Sequence, residues 1–320
     1  MTPTGGPGIE AIVPTIGASP LLGRCLEALA RENARVTLVL PDALALDTLP
    51  PTGDATVVRL PGRPGFAAAN NAALRRIDAA TVPYVALVND DAIVEPGWSS
   101  TLRAALEADH SLAAVQGLVF RLDDPSIVDG WGIGWNRWSQ AIQLGHGRPA
   151  TEAPTASTPI FGVSATAALF RRGALAAVTR RDASGDRSVF DEALFAYYED
   201  VDLAARLRVH GFRALAVPAA RALHAGSASG SMLPWSGRAL VHGNRLLVLA
   251  RLLGWRFLPS LPRLVLRDLV DALRLLGRGD PRGAGGVVAG LARAARRLPE
   301  FAHGSSPQLD PALLRGGMPS

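Results

Sequence analysis

The chain has no lysine, a single cysteine and no long uninterrupted apolar run in its 320 residues. Without a second cysteine no intrachain disulfide can form. The fold must therefore be held by its core, which suits a reducing cytoplasm, although a chain of this length needs no covalent staples. Every one of the 33 basic side chains is an arginine. An alanine-rich, lysine-free composition mainly reflects codon bias in the source, so the formal charge of +5 is weak evidence for nucleic acid, and no nucleic-acid partner is expected. No stretch reaches the ~18 apolar residues that a membrane span requires. Residues 1–10 also lack the basic patch and apolar run of a secretory signal. The expected location is the cytoplasm, with the inner face of a membrane as an option.

Hydrophobic residues make up 48% of the chain and charged ones 19%, enough apolar material for one large domain with an appendage. Residues 1–8 form a Gly/Pro-rich tail. The apolar runs 9–13, 36–40, 55–60 and 84–88 predict strands. Residues 20–30 and 66–77 predict helices, the first amphipathic and burying Cys25. Strands alternating with helices at this spacing imply an open, largely parallel sheet, which binds ligands beyond the carboxyl ends of its strands. Further on, 113–120 predicts a strand, the Gly/Trp-rich segment 129–147 loops or a hairpin, and 159–170 a strand passing into a helix. Residues 190–211 combine an acidic cluster with a helix stopped by Gly211, and 214–217 predicts a last short strand before His224. Beyond residue 230 the pattern is helical, strongest over 240–253 and 261–276, and residues 301–320 read as a loose tail.

Four sites carry chemistry. Asn89-Asp90-Asp91 directly follows the apolar run 84–88, where two carboxylates can hold one divalent cation of the Mg²⁺ or Mn²⁺ type that bridges phosphates; an ordinary polar turn fits the same residues. Phe190-Asp191-Glu192 and Glu199-Asp200-Val201-Asp202 set five acids among aromatics and can supply a general base. The plainer alternatives are that Asp200 caps a helix over 201–210 and that Asp202 pairs with Arg206. A carboxylate at a helix start is expected to keep a low pKa. His224, just past a strand, can serve as a further metal ligand. Pro61 to Asn71 is a glycine bend opening a helix, whose free N–H groups suit a diphosphate. Trp131, Trp135 and Trp138 can stack on a sugar or fill a loop's own aromatic core.

Taken together, these motifs resemble glycosyltransferase family 2, in particular its bacterial rhamnosyl- and galactofuranosyltransferase-like branch, over about residues 9–229. The most specific likeness is Phe190-Asp191-Glu192 with Glu199-Asp200-Val201-Asp202-Leu203 and Arg206. Gly65-Phe66 with Asn70-Asn71, Asn89-Asp90-Asp91-Ala92, Pro96-Gly97-Trp98, Gly162 ahead of Ala168-Leu169-Phe170, and His224 with Gly226 and Ser227 are similar to its other motifs. The resemblance implies a GT-A fold, an α/β open mixed sheet flanked by helices, over residues 1–230. A C-terminal helical segment at 231–300 and the tail complete the chain. It also implies an inverting, metal-dependent transfer of a sugar from a nucleotide-diphosphate donor to the hydroxyl of a saccharide or lipid-linked saccharide, in bacterial cell-surface polysaccharide or glycolipid synthesis. By position, Asp200 would take the acceptor proton and Asp91 would bind the metal with His224. Pro14, Thr15, Asp42, Gly65, Phe66, Asn70, Asn89 and Asp90 would face the donor, and Trp131, Gly162 and Glu199 the acceptor. Two departures fall in the nucleobase corner. The family's Asp-Asn after the second strand is replaced by Leu40-Pro41-Asp42, and the first strand ends Pro14-Thr15-Ile16-Gly17.

Those departures keep open a non-catalytic, sugar-binding or scaffolding relative. A sugar-1-phosphate nucleotidyltransferase would need a Gly-rich basic loop after the first strand, which residues 14–20 lack. The arginine-bearing C-terminal helices can rest on an anionic membrane, or pack on the catalytic domain or on another subunit; packing is the favoured reading.

Overall fold

The computed structural model describes residues 8–78, 81–136, 138–181, 185–226 and 235–302. Ser227 and the tail beyond residue 302 lie outside them. In chain order the elements begin β1 (Ile9–Pro14), α1 (Leu22–Arg31), β2 (Arg35–Pro41), β3 (Thr56–Leu60), α2 (Phe66–Arg76), β4 (Tyr84–Val88), β5 (Ala92–Val94) and α3 (Trp98–Ala108). There follow β6 (Leu112–Arg121), β7 (Val128–Gly130), β8 (Ile133–Trp135), β9 (Ala141–Gln143), β10 (Thr158–Ile160), β11 (Ala167–Arg171), α4 (Arg172–Ala177), β12 (Arg180–Arg181) and β13 (Arg187–Ser188). The chain continues with α5 (Glu199–Val209), β14 (Arg213–His224), α6 (Trp235–Leu253), α7 (Leu261–Gly277) and α8 (Pro281–Ala302).

Continuous apolar strands build the centre. Every residue of β4 is buried, as are five of the six in β1, so both faces of these strands must be covered by helices. The main sheet runs β10-β14-β6-β11-β4-β1-β2-β3, with β5 on β14 and β7 on β6. Strands β1 to β4 are mutually parallel, β6 and β14 run with them, and β10 and β11 run against them. Alternation along β1 sends Ile12 to one face, with α2 and Leu203 and Leu207 of α5. Ala11 and Val13 go to the other, where Leu22, Cys25, Leu26 and Leu29 of α1 meet Trp98, Leu102 and Leu106 of α3. The expected mixed α/β sheet with C-terminal helices is present.

Two local expectations differ. Residues 167–171 form a strand, not a helix: their alanines favour a helix by propensity, but the segment is wedged antiparallel between β4 and β6 and packing decides. The short strand expected at 214–217 is only the start of β14, which shifts register between Ala216 and Arg221 and continues to His224. The helical segment expected at 231–300 holds a third helix, α8, beyond the two apolar runs. A Cβ on Gly290 would lie 2.7 Å from the Ala239 carbonyl oxygen, so the glycine lets α8 close directly on α6.

A third core cluster lies between the sheet layers and the C-terminal helices. Leu246, Leu247, Val248, Leu249 and Ala250, with Leu252 and Leu253 of the same helix α6, pack against Ile133, Trp135, Phe161, Leu194, Tyr198 and Val201.

Candidate active site

Three strand ends meet at one edge of the sheet. Strand β4 ends at Val88, and the Asn89 amide donates to the Thr166 carbonyl of the loop before β11 (2.9 Å), which fixes the turn that carries Asp90 and Asp91. Thr15, just past β1, donates its hydroxyl to Asp90 Oδ2 at 2.6 Å. The register shift in β14 lets its last residue, His224, pair with Ala92 of β5, and the Ala225 amide donates to the Asp91 carbonyl. In this way residues far apart in the chain become neighbours: His224 Nε2 lies 3.0 Å from Asp91 Oδ1.

His224 is held from its other side as well. Its Nδ1 lies 2.9 Å from Asp129 Oδ2, and Asp129 also meets Nδ1 of His146. Burial disfavours a charged His224, but its hydrogen bonds to Asp129 and Asp91 outweigh it and raise the imidazole to about 9. Burial likewise opposes the Asp129 charge, and the hydrogen bonds from His146 and His224 overcome it, holding the carboxyl well below its usual range. Asp90 moves the other way: burial raises its pKa, the Thr15 hydrogen bond only partly offsets this, and the Asp91 charge adds to it.

The start of α5 borders the same cavity as His224. Its first residue is Glu199, and the residue before it, Tyr198, is left-handed at φ 71°. Asp200 is therefore not the helix cap but lies in the first turn, where its Oδ1 accepts from the Val201 amide (2.8 Å) and the carboxylate is also bonded by the Ala165 backbone. The low pKa expected of a helix start is overturned, because burial dominates over these backbone donors and raises Asp200 to about 6. Glu199 is buried with Oε2 unpartnered, and burial together with the Asp200 charge pushes it well above the carboxylate range. The two adjacent carboxyls are thus both raised, Glu199 by burial and the Asp200 charge and Asp200 by burial. The Asp202–Arg206 pair is present at 2.9 Å and buried, and Arg251 of α6 reaches the other Asp202 oxygen, also at 2.9 Å.

Several of these groups line one cleft of about 820 Å³, with Asp90 and Asp91 just behind its wall at Asn89 and His224. Asn89, Asp129, His146 and His224 line it together with Tyr197, Glu199 and Asp200. Phe66, Ile133, Ile142, Gln143, Ser164 and Val241 contribute to the rest of the wall.

A family model for "Glycosyltransferase like family 2" matches residues 7–235, more than two thirds of the chain. The chain belongs to glycosyltransferase-like family 2. Comparison with curated proteins gives no match. Among solved structures, this family 2 chain is similar to GalNAc-T7 with UDP, GalNAc and Mn²⁺ at a TM-score of 0.56 and 12% identity. The match covers 93% of the chain but only 58% of GalNAc-T7. It is also similar to the mannosyltransferase PcManGT from Pyrobaculum calidifontis in complex with GDP-Man and Mn²⁺, at a TM-score of 0.50 and 21% identity, over 98% of this chain and 80% of that one. At these identities the likeness is one of fold, the GT-A fold of nucleotide-sugar transferases.

The remaining sequence-predicted residues of the family 2 chain fall in varied places. Pro14 ends β1 beside Thr15, and Asp42 is exposed after β2, its amide bonded to the Leu60 carbonyl. Gly65 opens α2 where a Cβ would come 2.5 Å from the Phe195 carbonyl oxygen, and Phe66 packs edge-on against Phe190. Asn70 is buried with its Oδ1 unpartnered, whereas Asn71 ties α2 to Val189, Phe190 and Glu192. Gly162 packs against Ala204 and its carbonyl accepts from Ile133, so its visible role is close packing of the loop on α5. Trp131 packs half-buried against both neighbouring cores, Trp135 is buried edge-on to Phe161, and Trp138 lies under Arg263 and Arg267.

Sequence reasoning missed Asp129, His146 and the α6 residue Asn244. Asp129 hides in a three-residue strand within a Gly/Trp segment. Asn244 is fully buried and its amide donates to the carbonyls of Leu194, Ala196 and Tyr197, the loop that leads into Glu199 and Asp200. An uncharged amide, Asn244, set between His242 and Arg245 inside the mostly apolar run 240–253 was the available signal.

Among the described residues no three His, Cys, Asp or Glu side chains converge to hold an ion unaided. Asp91 and His224 carry the carboxylate oxygen and imidazole nitrogen that would hold one arriving with a diphosphate, once the proton between Oδ1 and Nε2 is released.

Proposed function

We propose that this chain is an inverting glycosyltransferase that moves a sugar from a nucleotide-diphosphate donor to an acceptor hydroxyl, with a divalent cation at Asp91 and His224. The observation that carries this reading is the shared cleft. Asp200, raised to about 6 and ionised at neutral pH, faces the same cavity as His224 and Asn89.

In the proposed reaction the acceptor oxygen attacks the anomeric carbon from the face opposite the diphosphate. Its proton passes to the Asp200 carboxylate as the new C–O bond forms, and the bond to the phosphate oxygen breaks with its electron pair. Mn²⁺ or Mg²⁺, when bound, supplies positive charge to the departing diphosphate. Asn89 and Asp90 with Thr15 shape the donor side. Glu199 offers a hydrogen bond to the acceptor, and Asp129 holds the His224 ring so that Nε2 faces Asp91. Phe66 lines the approach of the nucleotide with Gly65 and Asn70 buried behind it, Pro14 and Asp42 its base corner, and Trp131 and Gly162 back the acceptor side.

The motif block at 190–206 supports a place in the rhamnosyl/galactofuranosyl branch, with a saccharide or lipid-linked saccharide as acceptor in bacterial cell-surface polysaccharide or glycolipid synthesis and a cytoplasmic site of action. The similar structures, which hold UDP or GDP-Man with Mn²⁺, agree with a nucleotide-sugar donor. The test is a thermal-shift screen of nucleoside diphosphates with and without Mn²⁺, followed by turnover of the donor that binds. Stabilisation that needs both nucleotide and metal is expected; a protein that no nucleotide stabilises refutes the donor site.

A further inference from the structure

Helix α7 presents two opposite faces that its position in the fold does not account for equally. Leu264, Asp268 and Ala272, four residues apart, are buried, and Asp268 is paired there with Arg245 and His242 of α6. On the other side Leu266, Leu269, Leu273 and Leu276 recur at spacings of three and four and are 62%, 42%, 66% and 51% exposed. No charged residue interrupts this stripe, and exposed Leu258 precedes it in the chain. Contiguous exposed leucines on one helix face are an interaction surface, not ordinary scatter.

The charge beside the stripe identifies the partner. Arg263, Arg267, Arg274 and Arg278 share one flank of α7 by their spacing, with Asp271 as the acid among them, and exposed Arg282 follows. An apolar stripe bordered by a row of arginines matches a bilayer interface carrying anionic headgroups, where leucines enter the acyl boundary and guanidinium groups stay at phosphate level. A second copy of the chain is a poor match, since a stripe of four leucines falls short of the ~800 Å² per partner of a stable protein interface, and facing arginine rows would repel.

We infer that the leucine face of α7 docks this protein peripherally on an anionic lipid surface. No helix among the described residues is long and apolar enough to cross a membrane, so the contact is superficial. The location of α7 gives the contact a purpose. Its Arg263 and Arg267 lie over the ring of Trp138, at 5.5 and 5.8 Å from the centroid. Trp138 is in the turn of the β8–β9 hairpin, which contributes Ile133, Ala141, Ile142 and Gln143 to the cleft wall. The lipid-facing helix thus abuts the wall of the proposed acceptor side, as a membrane-borne acceptor requires. That last step rests on the transferase reading, but the docking itself does not.

Flotation of the full chain with phosphatidylcholine vesicles, with and without phosphatidylglycerol, tests it. Binding to the anionic vesicles alone is expected, lost in the exposed double variant L266S/L273S and weakened by roughly five-fold per arginine in R278Q/R282Q. Circular dichroism melting identical to wild type shows that the variants remain folded. Absence of flotation with anionic vesicles, or equal flotation of L266S/L273S, overturns the inference. So does a dimer in light scattering that L266S/L273S splits, because the stripe would then belong to a second copy.

Discussion

Replacing Asp200 with asparagine separates a catalytic carboxylate from a structural one, because the two roles predict opposite effects on stability. The Asp200 carboxyl is raised from 3.8 to about 6, first by burial. A group whose folded pKa exceeds its unfolded value favours the native state fully below the unfolded pKa, near pH 4. That contribution is lost as pH rises through about 6. A rise of roughly two pKa units corresponds to ~3 kcal/mol at pH 8. The half-buried carboxylate borders an open cleft, so ~1–3 kcal/mol is the range to expect. Asparagine keeps an oxygen for the Val201 amide and carries no charge. D200N should therefore unfold several degrees higher than wild type at pH 8 and indistinguishably from it near pH 4. Turnover should fall by roughly 10²–10⁴-fold, with nucleotide binding retained, while the wild-type rate declines on the acid side of about pH 6. Paired melting curves at the two pH values and a donor-turnover assay read both effects. A D200N protein that melts lower at pH 8, or that keeps its turnover, refutes the argument.

Other perturbations probe the support around that carboxylate. Removing the Asn244 amide takes a donor from the carbonyls of Ala196 and Tyr197 and leaves that of Leu194 with the Ala196 amide alone. At ~1–3 kcal/mol for each unsatisfied group, N244A should lose at least a few kcal/mol in urea unfolding and lower kcat more than it raises the donor KM. Asp129 fixes the ring of His224, so D129N should weaken Mn²⁺ binding in the presence of nucleotide about 10–100-fold, measured by electron paramagnetic resonance titration; unchanged affinity would remove His224 from the metal site. Arg251 shares buried Asp202 with Arg206 and also reaches Asp191. R251M should destabilise the fold by about 3–5 kcal/mol, and a melting temperature equal to wild type would show the pair to be dispensable.

Which parts of this molecule could be read from its residues follows from how local their causes are. The runs at 9–13, 36–40 and 84–88 are buried on both faces, and such continuity marks parallel strands without reference to anything distant. Asn89-Asp90-Asp91 and Glu199-Asp200 were legible because strand ends and helix starts are where an open sheet binds ligands. Residues 167–171 were not, since a strand inserted antiparallel between β4 and β6 is defined by its neighbours and not by its alanines. Asp129 and His146 acquire meaning only through His224, brought beside them by a register shift in β14 that no local pattern announces. The pKa of Asp200 was misjudged for a related reason: helix-start donors are visible in sequence, but the depth of burial that outweighs them is a tertiary fact.

The same distinction gives the C-terminal helices a part in the site. Phe195, Tyr197 and Tyr198 hold φ values of 65°, 65° and 71°, a left-handed run that costs aromatic residues ~1–2 kcal/mol each. A loop under that strain would relax if unsupported, carrying Glu199 and Asp200 with it. The support is largely supplied from beyond residue 235. Asn244 binds three of the loop's carbonyls, while Arg293 and Arg297 of α8 both donate to the Ala193 carbonyl at 2.7 Å. Arg251 anchors Asp191 before the loop and Asp202 after it. The position of the proposed base is therefore set jointly by the sheet and by helices that contribute no side chain of their own to proton transfer. The family motifs alone, which end near residue 229, specify the chemistry but not the geometry in which it is held.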